Sequence, residues 1–124
     1  MDTRTKILSP EGLAAWRAAG RVKVVTGYFD PLLASHARRL AELRLGGETL
    51  VVVVRDLDDA LLPLAARAEL VAALGVVDWV VPAPSGVEAI IARLRPAEVV
   101  NEEEADLARR NELIRHVRAR SGRE

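Results

Sequence analysis

The run Leu50-Val51-Val52-Val53-Val54, set between the helix-breaking pair Gly46-Gly47 and the polar Arg55-Asp56, restricts the fold more than any other part of the chain. An apolar stretch with no polar alternation has no face to turn toward water. A strand built from it must be covered on both sides, as in a parallel sheet flanked by helices. The flanking segments supply that cover. Val22-Lys23-Val24-Val25 predicts a first strand, Thr26 to Pro31 a turn, and Leu32 to Arg44 a helix. A second helical pattern runs from Pro63 to Leu74 before Gly75, and Trp79-Val80-Val81 predicts a third strand. Val87 to Leu94 is helical up to Pro96, Glu98-Val99-Val100 is a short strand, and Glu102 to Arg120 a long final helix. At the start, Ser9-Pro10-Glu11 has the form of a helix cap, with Leu13 and Trp16 as the packing face and Gly20 as the stop.

Strands alternating with helices of this length predict βαβ units with right-handed crossovers. The expected architecture is α/β, a Rossmann-like three-layer sandwich with a short parallel sheet of about four or five strands, in one domain spanning 1–124. Ligands of such sheets bind outside the carboxyl ends of the strands, which directs attention to Thr26 through His36, to Arg55-Asp56 and to Asn101.

Composition narrows the function classes. Half the 124 residues are hydrophobic and 29% are charged, a globular balance far from that of disordered chains. The 18 basic and 18 acidic residues cancel, so no global field draws the chain to nucleic acid or to an anionic membrane. One Phe, one Tyr and two Trp leave few stacking platforms for single strands, which weighs further against nucleic acid. The absence of cysteine excludes disulfides, thiolate zinc sites and a cysteine nucleophile. Met1 to Ser9 lacks an apolar stretch of signal-peptide length, and the expected location is cytoplasmic, with no membrane partner.

Thr26-Gly27-Tyr28-Phe29-Asp30-Pro31-Leu32-Leu33-Ala34-Ser35-His36, directly after the first strand, resembles the signature of nucleotidyltransferases of the cytidylyltransferase type. There, Gly-x-Phe-Asp is followed by two residues and then His-x-Gly-His. Pro63 to Arg67, Val77 to Pro82 and Arg95 to Val100 look like the corresponding helix and strands of the cytidylyltransferase-like domain of ADP-heptose synthases, and glycerol-3-phosphate cytidylyltransferases are of the same type. The resemblance extends over about Arg21 to Asn101. It implies transfer of a nucleoside monophosphate from CTP or ATP to a phosphate-bearing acceptor, usually with magnesium, by positioning and charge neutralisation. The nucleotide-binding residues it implies are Thr26, Gly27, Tyr28, Phe29, Asp30, Ser35, His36, Arg55, Arg67 and Asn101. His36 is the one catalytic candidate; no metal ligands are implied, and Mg2+ is expected only with a bound nucleotide.

The chain departs from this pattern where charge matters. Leu33 stands at the first histidine position and Ser35 at the motif glycine. Arg55 is the only basic candidate after the second strand, Asn101-Glu102-Glu103-Glu104 replaces Lys-Gly-Gly-Asp, and the late Ser-Thr-Thr motif is missing. Each site residue also has a plainer reading. Asp30-Pro31 suits the start of a helix, Gly27 a tight turn, and His36 a packed helical position; Arg67 suits pairing with nearby acids, and Glu102 to Glu104 a helix dipole. Three functions stay open. A degenerate nucleotidyltransferase that still binds CTP or ATP is favoured over an active divergent transferase and over an interaction protein. In the last, the final helix, apolar near Leu107, Ile114 and Val117 and basic elsewhere, would mediate assembly, for instance of a homodimer.

Overall fold

A computed structural model describes residues 2–121; Met1 and positions 122–124 of the expected 1–124 domain lie outside the described residues. A 3-10 turn (Thr3–Lys6) precedes α1 (Pro10–Ala15), β1 (Val22–Gly27), α2 (Ala34–Arg44) and β2 (Thr49–Arg55). Then follow α3 (Leu64–Ala72), β3 (Trp79–Ala83), α4 (Glu88–Leu94), β4 (Glu98–Asn101) and α5 (Glu103–Ser121). The strands form one parallel sheet in the order β3-β2-β1-β4.

The valine run lies in an interior strand and is covered on both faces, as its lack of alternation demands. Leu50, Val52 and Val54 join Val25, Leu40 of α2 and Ala68, Val71 and Ala72 of α3 in one core layer. Val51 and Val53 point the other way, toward Val22, Val24, Trp16 and Leu94 of α4. Alternate residues of one strand thus anchor two cores, and all five are fully buried.

Three local expectations need correcting. First, α1 ends at Ala15 rather than continuing to Gly20. Trp16 leaves the helix in an extended conformation and buries its indole in the second core, so packing of the ring terminates α1 before a glycine is reached. Second, the helix expected from Leu32, with Asp30 as cap, begins at Ala34 with Leu33 in the cap position. The His36 ring accepts the Leu33 N–H at 2.9 Å, while the Asp30 carboxylate is drawn off to the backbone of Leu61 and Leu62. Third, β3 continues through Pro82, which an outer strand tolerates because no neighbour needs the missing N–H.

Lys23 is buried within β1, and its Nζ donates to Leu43 O at the carboxyl end of α2, a position that favours a cation. After β3 the chain crosses back to place β4 on the far side of β1, so the strand order reverses between β1 and β4. A crevice at that reversal, outside the carboxyl ends of both strands, is where open α/β sheets bind ligands. Among the described residues no helix is long and apolar enough to cross a membrane.

Leu40→Ala empties space between α2 and the sheet and should lower the free energy of unfolding by about 2–5 kcal/mol in urea titrations. Leu45→Ala, at an 86% exposed position, should change it by less than about 0.5 kcal/mol.

Candidate functional site

β1 ends in Thr26-Gly27, and the next two residues turn their N–H groups toward one point. Phe29 holds a left-handed backbone (φ 49°), which a non-glycine residue adopts at a cost of order 1 kcal/mol. Its ring offsets this by full burial and by lying tilted against the His36 ring, with centroids 5.3 Å apart. The point the amides face is occupied by the carboxylate of Asp106 from α5. Asp106 Oδ2 accepts Tyr28 N–H at 2.8 Å and Phe29 N–H at 3.4 Å. The other oxygen, Oδ1, accepts from Arg109 at 3.1 Å and lies 2.8 Å from His36 Nε2. That last contact is close but lies off the ring N–H axis, so Nε2 has no aligned hydrogen bond. A Cβ at position 27 would collide with Asp106 Oδ2 and come within 2.9 Å of the Phe29 ring, so the close approach of the carboxylate requires Gly27.

His36 is 3% exposed. With Nδ1 accepting from Leu33, the ring N–H is at Nε2, and that nitrogen lies against Asp106 rather than in solvent. Leu33, in the position of the first signature histidine, offers no charge or donor from its side chain.

Around this centre each carboxylate meets a guanidinium. Glu102 binds Arg39 at 2.6 Å, Glu103 binds Arg55 at 2.9 Å, and Asp30 binds Arg110 at 3.1 Å. The hydrogen bonds that Arg39 and Arg55 donate to Glu102 and Glu103 raise both guanidinium groups above their ordinary range. Arg55 also lies over the Tyr28 ring at 5.9 Å. The Thr26 hydroxyl, with one proton to give, is 2.8 Å from Asn101 Oδ1 and from both oxygens of Glu103. The register explains the Asn101 contact, since Thr26 pairs with Asn101 across β1 and β4.

The fold therefore gathers Thr26, Gly27, Tyr28, Phe29, Asp30, His36, Arg55 and Asn101 at one edge. Arg67 and Ser35 stand apart. Arg67 is fully buried and donates to the carbonyls of Leu62, Tyr28 and Arg55 at 3.0, 2.9 and 2.8 Å, so it ties the loop after β1 to the two ends of the loop after β2 from beneath. Acid pairing, its plainer reading, is reduced to an Asp56 contact at 3.6 Å. Ser35 faces a shallow outer hollow beside Leu33, Glu112 and His116. The residue that sequence reasoning missed is Asp106. Its signal was a stripe of Glu102, Asp106, Arg109 and Arg110 at helical spacing, which periodicity alone cannot tell from a solvated face. Among the described residues no group of three or more His, Asp or Glu side chains is placed to hold a metal ion.

The fold and this edge together define a Rossmann-like parallel α/β domain with convergent loop amides at its strand-order reversal. No protein-family model matches the chain. It is similar to the bifunctional protein HldE of Halorhodospira halophila, 43% identical over a 76-residue alignment that takes in 53% of this chain and 16% of the relative. The bifunctional protein HldE of Shewanella piezotolerans is 36% identical over 87 residues, 61% of this chain and 18% of the relative. The chain thus spans less than a fifth of the length of these curated relatives, and the similarity supports a nucleotidyltransferase-like domain.

Two substitutions check the geometry. Gly27→Ala should destabilise by about 1–3 kcal/mol. Part of that loss should vanish in an Asp106→Ala background, giving a coupling energy above about 0.5 kcal/mol in a double-mutant cycle. Arg67→Met, which strands three carbonyls, should lose about 3 kcal/mol or more by thermal or chemical unfolding.

Proposed function

We propose that this chain is a degenerate nucleotidyltransferase-like module that keeps the phosphate-receiving loop and carries out little or no nucleotidyl transfer. The observation that supports this reading is the pairing of every cation at the edge. Arg39, Arg55, Arg109 and Arg110 each already face a carboxylate, and Leu33 puts a methyl-ended side chain where the family signature has a phosphate-binding histidine. A triphosphate arriving here would have to break ion pairs before it gained any. Loss of a single preorganised donor to a charged transition state costs about 10² to 10³ in rate, and several are lost or neutralised together.

What remains suits recognition better than turnover. Two backbone N–H groups, a glycine that permits close approach and one histidine form a frame that accepts an oxyanion without a base-specific contact. CTP or ATP, carried with Mg2+, is the ligand class that the sequence resemblance implies for this frame.

The test is pyrophosphate release from CTP or ATP with magnesium and a sugar phosphate, together with thermal unfolding in the same nucleotides. The expected outcome is no release above a protein-free control and a raised unfolding midpoint with at least one nucleotide; a ligand at 100 times its Kd stabilises by about 2.7 kcal/mol. Sustained release that His36→Ala abolishes would replace this reading with an active divergent transferase. Neither release nor any midpoint change would replace it with an interaction protein.

A further inference from the structure

The head of α5 is tied to the sheet edge in an unusual way for a helix of its length. Of its residues through Arg120, Asp106 alone is buried; Leu107, Leu113 and Ile114 are half-buried and Val117 is 54% exposed. Apolar packing therefore holds it weakly. The attachment consists of charged contacts in the first two turns and the preceding residue: Glu102 to Arg39, Glu103 to Arg55 and Thr26, Asp106 to the loop, and Arg110 to Asp30 and Asp59 O. Of these cations Arg39 and Arg55 keep 41% and 36% of their side chains exposed, so solution anions reach those two pairs directly.

From these contacts we infer that Asp106 is an internal anion occupying the phosphate-receiving frame, so that a phosphoryl group binds only by displacing the head of α5. The inference rests on the functional reading above and adds its regulation. Three observations carry it. The Asp106 carboxylate accepts both loop amides, as an oxyanion would. Gly27 has no room for a side chain because that carboxylate lies against it. His36 Nε2 lies 2.8 Å from the same carboxylate, buried and without an aligned partner, which leaves one donor beside the frame for an incoming anion to satisfy. Arg109 completes the charge balance, and since it rides on α5 it would leave with Asp106 or turn to the incoming anion. Glu102, 2.6 Å from Arg39, is the other acid lining this space and keeps it unfavourable to anions while α5 is seated.

The probes are inorganic phosphate and pyrophosphate, at ionic strength matched with chloride. In the unaltered chain, backbone hydrogen exchange over residues 103–109 should rise as pyrophosphate is added, while Tyr28 and Phe29 remain protected. Asp106→Asn should bind pyrophosphate at least tenfold more tightly than the unaltered chain, and Asp106→Ala should be restabilised by phosphate more than by chloride. Unchanged exchange in α5 at pyrophosphate levels that raise the unfolding midpoint would overturn the inference, and so would equal affinity of the Asn variant and the unaltered chain. Equal affinity would leave the binding module intact without its internal competitor. If pyrophosphate leaves both proteins unaffected, the frame is a structural joint and the inference fails. Turnover of nucleotide, by contrast, would remove the reading beneath it whatever Asp106 does.

Discussion

A carboxylate withdrawn from water needs donors on every side, and the carboxyl edge of the sheet is built around meeting that need for Asp106. Its oxygens accept from the two amides of the β1–α2 turn and a guanidinium, and one of them lies against His36 Nε2. Gly27 must be glycine for the carboxylate to approach, Phe29 must enter the left-handed region to aim its N–H, and His36 must turn its ring inward. The same carboxylate fixes where α5 begins its course. Leaving such donors and acceptors unmatched costs about 1–3 kcal/mol each.

A second constraint lies just beneath. Arg67, without exposed surface, bonds the carbonyls of Tyr28, Arg55 and Leu62 and so sets the spacing of the loops after β1 and β2. A cation that holds backbone carbonyls in the interior does a different task from one that meets a nucleotide in solvent. At this edge the guanidinium charges are spent on internal carboxylates. Recognition of an anion survives such an arrangement more easily than catalysis does, because catalysis needs donors free at the moment when charge develops.

The layered fold was legible because burial leaves a periodic record. Leu50 to Val54 could only be a strand covered on both faces, and Gly46-Gly47 and Pro96 punctuate the chain ahead of β2 and β4. The boundaries drifted where a side chain with a distant partner overruled local preference. Trp16 closed α1 early by entering the core, and Asp30 left the start of α2 for the backbone of Leu61 and Leu62. The position of the edge was legible too, since the carboxyl ends of a parallel sheet and the Gly-x-Phe-Asp turn both pointed to it. Its occupant was not, because a stripe of acids and arginines on a helix reads the same whether it meets water or a binding loop.

The amino-acid sequence by itself determined the parallel α/β layers, the strand that centres them and the turn at which a ligand would be met, since each depends on patterns within a few neighbouring residues. Only the tertiary structure decided which donors at that turn are free and which are taken. Asp106 and Tyr28 are 78 positions apart, and their hydrogen bond exists because strand register and helix seating bring them within 2.8 Å. Hydrophobic burial is non-directional and leaves its trace in the chain. Charge pairing and hydrogen bonding are directional and short-ranged, so their partners are chosen only when the fold closes.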